Sequence, residues 1–474
     1  MAETSMDQAL HERLHLVLEQ QRAAFDRERL PSHAQRKDRL ARLLRMTADN
    51  ADALADAMSR DFGHRSRHES LLADLFTVQS GARHAMRHLK RWMAVKRAPT
   101  ALHFLPAGNR LMPQPLGVVG IVSPWNYPYY LAMAPALAAL AAGNRVMIKP
   151  SELTPATSAL MARLVAQHFA PDEMTVVTGD AEVGKAFTQL PFDHLFFTGS
   201  TPVGRLVAQA AAQHLTPVTL ELGGKSPAIV DRSADIARTA ERLAFGKLLN
   251  AGQTCVAPDY VLVPKELATP LADAIVAAVR RLYPRIEGNP DYTAIVSPRH
   301  HARLKGLLDD ARARGATLRP THDDAPTDRR LVPTLLLETS PDMAVMREEI
   351  FGPLLPIVPY GHPSEAIALV NGGDRPLALY WFGEDKAARD DVLARTHAGG
   401  VTVNDCIWHL GQEEQPFGGV GASGMGSYHG VWGFNTFSKL KPVFLQSRLA
   451  GTRLFHPPYG ATFDRMLRLL KKIA

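Results

Sequence analysis

In the stretch NAGQTC, residues 250–255, a cysteine closes a polar, glycine-containing turn, and the 474-residue chain holds only one other, Cys406. A cysteine attacks an electrophile as its thiolate, so Cys255 needs surroundings that lower its pKa or a base within reach. Glu221, in LELGGKSP, is a candidate for a nearby base that activates water. It ends an apolar strand pattern just before Gly223 and Gly224, where missing Cβ atoms let a flat ring approach the backbone. A carbonyl attacked by sulfur gathers negative charge on its oxygen. The side-chain NH2 of Asn126 in SPWNYP and the backbone N–H of Cys255 could donate to it, and losing one such donor typically costs about 3 kcal/mol. Each residue also has an ordinary reading: a small buried hydrophobe for the cysteine, an ion-pair partner for the glutamate, an Asx turn for the asparagine.

Three loops can meet only if a scaffold of strands and helices brings them together. Residues from about 7 to 95 read as amphipathic helices, with Leu, Met and Ala at three- and four-residue steps. After them, short apolar runs alternate with helical stretches: GVVGIVSP, RVMIKP, MTVVTG, HLFFTGS and PVTLELGG, then SPAIVD, YVLVP, TLLLE, LLPIVPY, LALYWFG and GGVTVND. Strands buried on both faces and separated by helices predict doubly wound parallel sheets, here in two α/β units. The Pro- and Gly-rich segment 98–117 reads as a linker or as a β-hairpin arm reaching another subunit.

The turn at GVVGIVSPWNYP lacks the G-x-G-x-x-G of the usual dinucleotide fold. Instead Gly199-Ser200-Thr201-Pro202-Val203-Gly204 opens a helix after the strand HLFFT, where backbone amides and the Ser200 hydroxyl can hold a pyrophosphate or simply cap the helix. Lys149, Ser151 and Glu152 follow the strand RVMI. A Lys and a Glu there can hydrogen-bond ribose hydroxyls, while Ser151 and Glu152 can equally cap the next helix.

Taken in order, SPWNYP, KPSELTP, FTGSTPVG, LELGGKSP, NAGQTC, EEIFGP and PFGGVGASGMGSYHG resemble the aldehyde dehydrogenase superfamily from about residue 30 to about 445. The context of Cys255 and the GGVGASGMGSYHG run are most similar to the branch of class 3, fatty and coniferyl aldehyde dehydrogenases, and the tail leans to the coniferyl type. The resemblance implies an aldehyde dehydrogenase fold: a Rossmann-like cofactor domain (1–97 and 118–222), an α/β catalytic domain (223–432), and an oligomerisation arm with a C-terminal tail (98–117 and 433–474). It implies NAD(P)-dependent oxidation of an aldehyde through a cysteine thioester, with Cys255 as nucleophile, Asn126 and the Cys255 amide holding the oxyanion, and Glu221 activating water. Lys149 and Glu152 would hold the adenosine ribose, Ser200 the pyrophosphate, Glu349 the nicotinamide ribose, and Phe351 would pack by the ring. Trp125, Ser151, Gly199, Gly204, Leu222 and Gly223 complete the implied cofactor path. NAD and NADP both stay open, as do an aromatic and a medium- or long-chain aliphatic aldehyde; Trp408, Tyr127 and Tyr130 could wall an aromatic pocket or be plain core. A homodimer is expected.

The remaining composition narrows the alternatives. Two cysteines make no disulfide framework, no signal peptide is legible, and no apolar run approaches about 18 residues, so a cytoplasmic protein is expected. A net charge of +7 sits on scattered helix faces rather than in an aromatic-interleaved tract, which argues against nucleic acid. The basic, amphipathic FDRMLRLLKKIA could lie on a membrane surface, yet packing over the substrate entrance or a partner subunit fits as well. HERLH at 11–15 matches a zinc-hydrolase pattern, and His64/His68 and His84/His88 share its i, i+4 spacing, but no third ligand follows and no metal is expected.

Overall fold

The computed structural model describes residues 2–449 and 451–473. Met1, Ala450 and Ala474, which belong to the expected domain ranges, lie outside the described residues. Two sheets and a small third one organise the chain. In the first, Gly424–Met425, Val218–Glu221, His194–Thr198, Val118–Val122, Arg145–Lys149 and Met174–Val176 lie side by side, all parallel except the first of them. Chain order runs outward from Val118–Val122 in one direction and returns through His194–Thr198 in the other. Between those two strands the connections diverge, which opens a crevice at their carboxyl ends. The second sheet orders Thr317–Pro320, Thr334–Leu337, Leu354–Tyr360, Tyr260–Pro264, Pro227–Val230, Ala378–Phe382 and Gly400–Val403, with only the first pair antiparallel.

Each apolar run named from the sequence forms a strand, most of them buried on both faces; the edge strand Gly400–Val403 instead exposes Val401 and Val403. Val118, Met147, Phe197 and Leu220 pack under Leu14 and Leu18 of the first helix, while Val119, Ile148 and Phe196 join the main core on the opposite face. The edge strands Thr317–Pro320 and Gly424–Met425 are too short and too polar to show in the sequence. The Pro/Gly-rich segment contributes Lys96–Ala98 and Gly108–Pro115 to a three-stranded antiparallel sheet, completed by Ser438–Leu445. Leu440, Phe444 and Leu445 on the last strand are exposed, as are Leu102, Phe104 and Leu105 in the connecting turn. No helix among the described residues is long and apolar enough to cross a membrane.

The N-terminal helices depart from a uniform reading at one place. Ser70–Phe76 winds as a π-helix between Arg67–Glu69 and Thr77–Trp92. Asp74 within it is fully buried and ion-paired to buried Arg65 at 2.7 Å. A charge pair spaced through a basic helical segment reads as solvated surface; here it is interior, next to the crevice.

Candidate active site

The turn carrying Cys255 follows the helix Ile236–Leu248 and is left-handed: φ is 54° at Asn250, 53° at Ala251 and 76° at Gly252. A non-glycine residue in that region costs about 1–2 kcal/mol, so the surroundings must over-determine the conformation. They do. Asn250 N donates to Glu69 Oε2 at 3.1 Å, and its Nδ2 donates to the carbonyls of Asn126 (2.9 Å) and Gln253 (3.2 Å). Gln253 Nε2 donates to Asn250 O and Ala294 O, and its Oε1 accepts from Val296 N. Thr254 Oγ1 bonds the Tyr127 hydroxyl at 2.6 Å, and Tyr380 OH donates to Val256 O. Gly252 abuts the Gly352 carbonyl, leaving no room for a Cβ. NAGQT is thus the scaffold of the thiol that follows it.

Asn126 lies past the carboxyl end of Val118–Val122. Its carbonyl accepts from Arg65 Nη1 at 3.0 Å as well as from Asn250, and Asp74 Oδ1 accepts the Tyr129 and Tyr130 amides at 3.2 and 3.0 Å. Arg65 also sits over the rings of Phe62 and Tyr127. The backbone is therefore pinned, while the Asn126 carboxamide lines a cavity and makes no hydrogen bond among the described residues.

Glu221 ends its strand with both carboxylate oxygens buried and without a partner. Burial holds its pKa well above the ordinary carboxylate range. The glycine-rich run 416–430 wraps it: Gly424 pairs with Glu221 in the sheet, and a Cβ on Gly418 would stand 3.1 Å from Glu221 Oε1. The Cys255 thiol is pushed up to about 12, first by burial and then by the carboxylates of Glu349 and Glu221, against which the Cys255 and Val256 amides act.

Two cavities meet at this point. One, of about 250 Å³, is lined by Trp125, Asn126, Gly199, Ser200, Gly223, His300, Arg303, Glu349 and Phe351. The other, of about 330 Å³, is walled by Phe76, Tyr127, Tyr130, Phe245, Trp408, Phe417 and Tyr428, with Gln412 and Glu413 among them. Leu131, Thr198, Glu221, Leu222 and Cys255 line both.

The residues of the first cavity fit the nicotinamide and phosphate end of a dinucleotide. Thr198 Oγ1 and the Glu221 oxygens are buried without partners, and Ser200 opens the helix Thr201–Ala212 without capping it, so the helix amides face an anion site unopposed. Gly223 lies so close to the Glu349 carboxylate that a Cβ would overlap it. Burial, with Asp259 next, pushes Glu349 up to about 8 against the Gly224 amide. Phe351, at φ 52°, meets Trp125 edge-on at 5.4 Å.

Comparison with known proteins agrees with this geometry. The Aldehyde dehydrogenase family profile matches residues 4–443. The chain belongs to the aldehyde dehydrogenase family. It is 51% identical over 454 residues, 96% of this chain and 95% of the relative, to a probable coniferyl aldehyde dehydrogenase of Pseudomonas aeruginosa. The substrate-bound state of Staphylococcus aureus AldH superposes with a TM-score of 0.92 at 38% identity, covering 96% of this chain and 99% of that one. An indole-3-acetaldehyde dehydrogenase complexed with NAD+ superposes with a TM-score of 0.84 at 26% identity, over 92% of this chain and 89% of that one. As a family member, the protein is an enzyme that oxidises aldehydes with a nicotinamide cofactor.

Most of the residues expected from the aldehyde dehydrogenase motifs line one of these cavities, but four do not. Lys149 is buried, donates to Pro150 O at 2.8 Å and lies 3.6 Å from Glu152 Oε2. Ser151 Oγ accepts from Leu153 N in a turn, and the helix Pro155–His168 that follows has Thr154 at its start and no side-chain cap, so Ser151 and Glu152 do not cap it. Lys149 ends the strand beside Val118–Val122 and Ser151 and Glu152 follow it; none of the three lines either cavity. Gly204 lies beneath Leu222, where a Cβ would collide. HERLH lies on the first helix, with His11 Nε2 3.2 Å from Gln189 Oε1, and no third metal donor joins it among the described residues. The sequence reading missed His300, Thr198, Arg65, Asp74, Glu69 and Arg303; Arg303 donates to the Glu349 and Ile350 carbonyls. Nothing in the sequence around them marks them, because their place at the site comes from the packing of distant segments.

Proposed function

We propose that the enzyme oxidises a hydroxylated aromatic aldehyde of the coniferyl type to its acid, with Cys255 as nucleophile, Asn126 as oxyanion donor and Glu221 as general base. One observation carries the reading: an aromatic cavity and a cavity lined by Trp125, Ser200, Glu349 and Phe351 share a wall, and that wall holds the thiol and an unpartnered carboxylate. The Cys255 sulfur bonds to the aldehyde carbon as its proton leaves for a base, and the oxyanion accepts hydrogen bonds from the Asn126 carboxamide and the Cys255 amide. Bound nicotinamide supplies the two-electron acceptor for the hydride leaving that carbon. The resulting thioester stays on Cys255 until water adds to it, Glu221 taking the water's proton; the acid departs and the sulfur is reprotonated.

Several features support an aromatic substrate. Trp408 lies parallel to Phe245 at 6.0 Å and 14°, extending a flat wall. The Tyr127 and Tyr130 hydroxyls are tied to Thr254 and His429, which leaves their ring faces to the cavity. Glu413, held by Gly430 N at 3.0 Å, offers a carboxylate to a ring hydroxyl. The relative from Pseudomonas aeruginosa bears a coniferyl name. We take NAD as the cofactor over NADP: Glu152 is half exposed and its charge opposes a 2′-phosphate. The exposed apolar row on Ser438–Leu445 supports a homodimer through the arm, and two free thiols agree with a cytoplasmic location.

A panel of aromatic and aliphatic aldehydes, assayed with both cofactors by the absorbance of reduced nicotinamide, tests the reading. Hydroxylated cinnamaldehydes are expected to exceed aliphatic aldehydes in kcat/KM by about tenfold or more. Equal or better turnover of long aliphatic aldehydes would sink the aromatic assignment. Sedimentation of the purified protein as a monomer would sink the dimer.

A further inference from the structure

His84 and His88 stand one turn apart on one face of the helix Thr77–Trp92. The fold brings them a third donor from the far end of the chain: Glu414, in the loop that contributes Gln412 and Glu413 to the aromatic cavity. One donor atom from each of the three lies within 4.8 Å of the others, and His84 Nε2 is 3.4 Å from Glu414 Oε1. Two ligands bonded at about 2.0–2.1 Å to a tetrahedral metal are separated by about 3.4 Å, so this edge already has the length a bound ion requires. His88 Nδ1 donates to His84 O at 3.0 Å, which fixes the tautomer and leaves Nε2 with its lone pair. Metal-binding imidazoles ordinarily have their second ring nitrogen engaged in this way. Trp92 stacks on His88 at 6.0 Å and 22° and lies 5.7 Å from His84, restricting both rings.

We propose that His84, His88 and Glu414 bind a zinc-type divalent transition-metal ion, and that the ion clamps the wall of the substrate cavity to the helix. Two imidazoles and one carboxylate suit Zn2+ and leave a fourth position for water, whereas Mg2+ and Ca2+ favour all-oxygen sites. None of the three residues lines either cavity, so the ion takes no part in the chemistry at Cys255. Its lever on the site is Glu413: its Oε2 accepts from Gly430 N, and Gly81, on the same helix as the histidines, would meet Glu413 Oε1 at 2.8 Å with a Cβ. Fixing Glu414 fixes its neighbour, and with it the polar end of the aromatic pocket.

The test is calorimetric titration of Zn2+ into full-length Cys255→Ala protein, which removes the competing thiol. One ion per chain is expected at about micromolar Kd, with no heat from Mg2+. His88→Ala and Glu414→Gln, each in the Cys255→Ala background, are expected to weaken binding by about tenfold or more. No saturable Zn2+ site, or one that survives both substitutions, overturns the proposal. Hydrogen exchange of the wild-type protein reads the clamp directly: Zn2+ should slow amides in 408–415, and should not do so in Glu414→Gln. Binding without that protection overturns the clamp.

Discussion

The two cavities that meet at Cys255 are built in opposite ways. The cofactor side is made largely of strand ends, glycines and backbone: Gly199 and Ser200 after one strand, Trp125 and Asn126 after its neighbour, Gly223 against Glu349. Its shape follows from sheet topology, so short motifs describe it. The substrate side is made of large side chains from distant segments, with Phe76, Tyr127, Phe245, Trp408, Phe417 and Tyr428 converging only through packing. On the proposed function, the contrast makes the reaction a property of the fold and the choice of aldehyde a property of side chains placed upon it.

The severest test is to remove the shared atom. Cys255→Ala should lower kcat by at least about 10⁴-fold while nucleotide affinity, measured by calorimetry, stays unchanged. An active variant would dissolve the junction between the cavities. Next, Arg65→Met leaves Asp74 buried without its partner, and denaturant unfolding should show a loss of about 3–5 kcal/mol, larger than in the Arg65→Met/Asp74→Leu pair. Asn126→Ala should reduce kcat about 10²–10³-fold with KM little altered, because its donor acts on the developing oxyanion; a pure KM effect would place it on the substrate side instead.

Glu221 sharpens the comparison through pH. Burial raises its folded pKa above the carboxylate range, so it is neutral at low pH and becomes a base as pH rises. The rate of thioester hydrolysis should climb through that raised pKa and lose this limb in Glu221→Gln, measured by single-turnover release of the acid. The smallest effect belongs to the substrate wall. Trp408→Ala should raise KM for aromatic aldehydes about tenfold and leave aliphatic aldehydes and nucleotide affinity unaffected. A matching loss for both aldehyde classes would mean that the wall is structural.

Legibility followed the range of the interactions. Val118–Val122, Arg145–Lys149 and His194–Thr198 were readable because strands buried on both faces need continuous apolar runs. Cys255, Glu221 and Asn126 stood out as candidates through their motifs, in which turns demand particular residues such as the left-handed Asn250 and Gly252, and the fold brings all three to one cavity. Arg65 and Asp74 did not: Arg65 lies between the helices Ala51–Phe62 and Arg67–Glu69, and the carboxylate of Asp74, in a π-helical turn, accepts from the distant Tyr129 and Tyr130 amides. Lys149 and Glu152 show the limit of motif reading: both stand at a strand end as a ribose ligand pair would, and in the fold the Lys149 ammonium donates to Pro150 O with Glu152 3.6 Å away.

By itself, the sequence determined the strands, the order in which they alternate with helices, and the turns that present a thiol, an amide and a carboxylate, because these rest on local periodicity and backbone preference. Tertiary structure alone decided that those three groups share a wall, that an aromatic chamber adjoins it, and that His84, His88 and Glu414 stand together. Such convergence joins residues tens to hundreds of positions apart, and only the packing of the sheets and helices sets the distances between them.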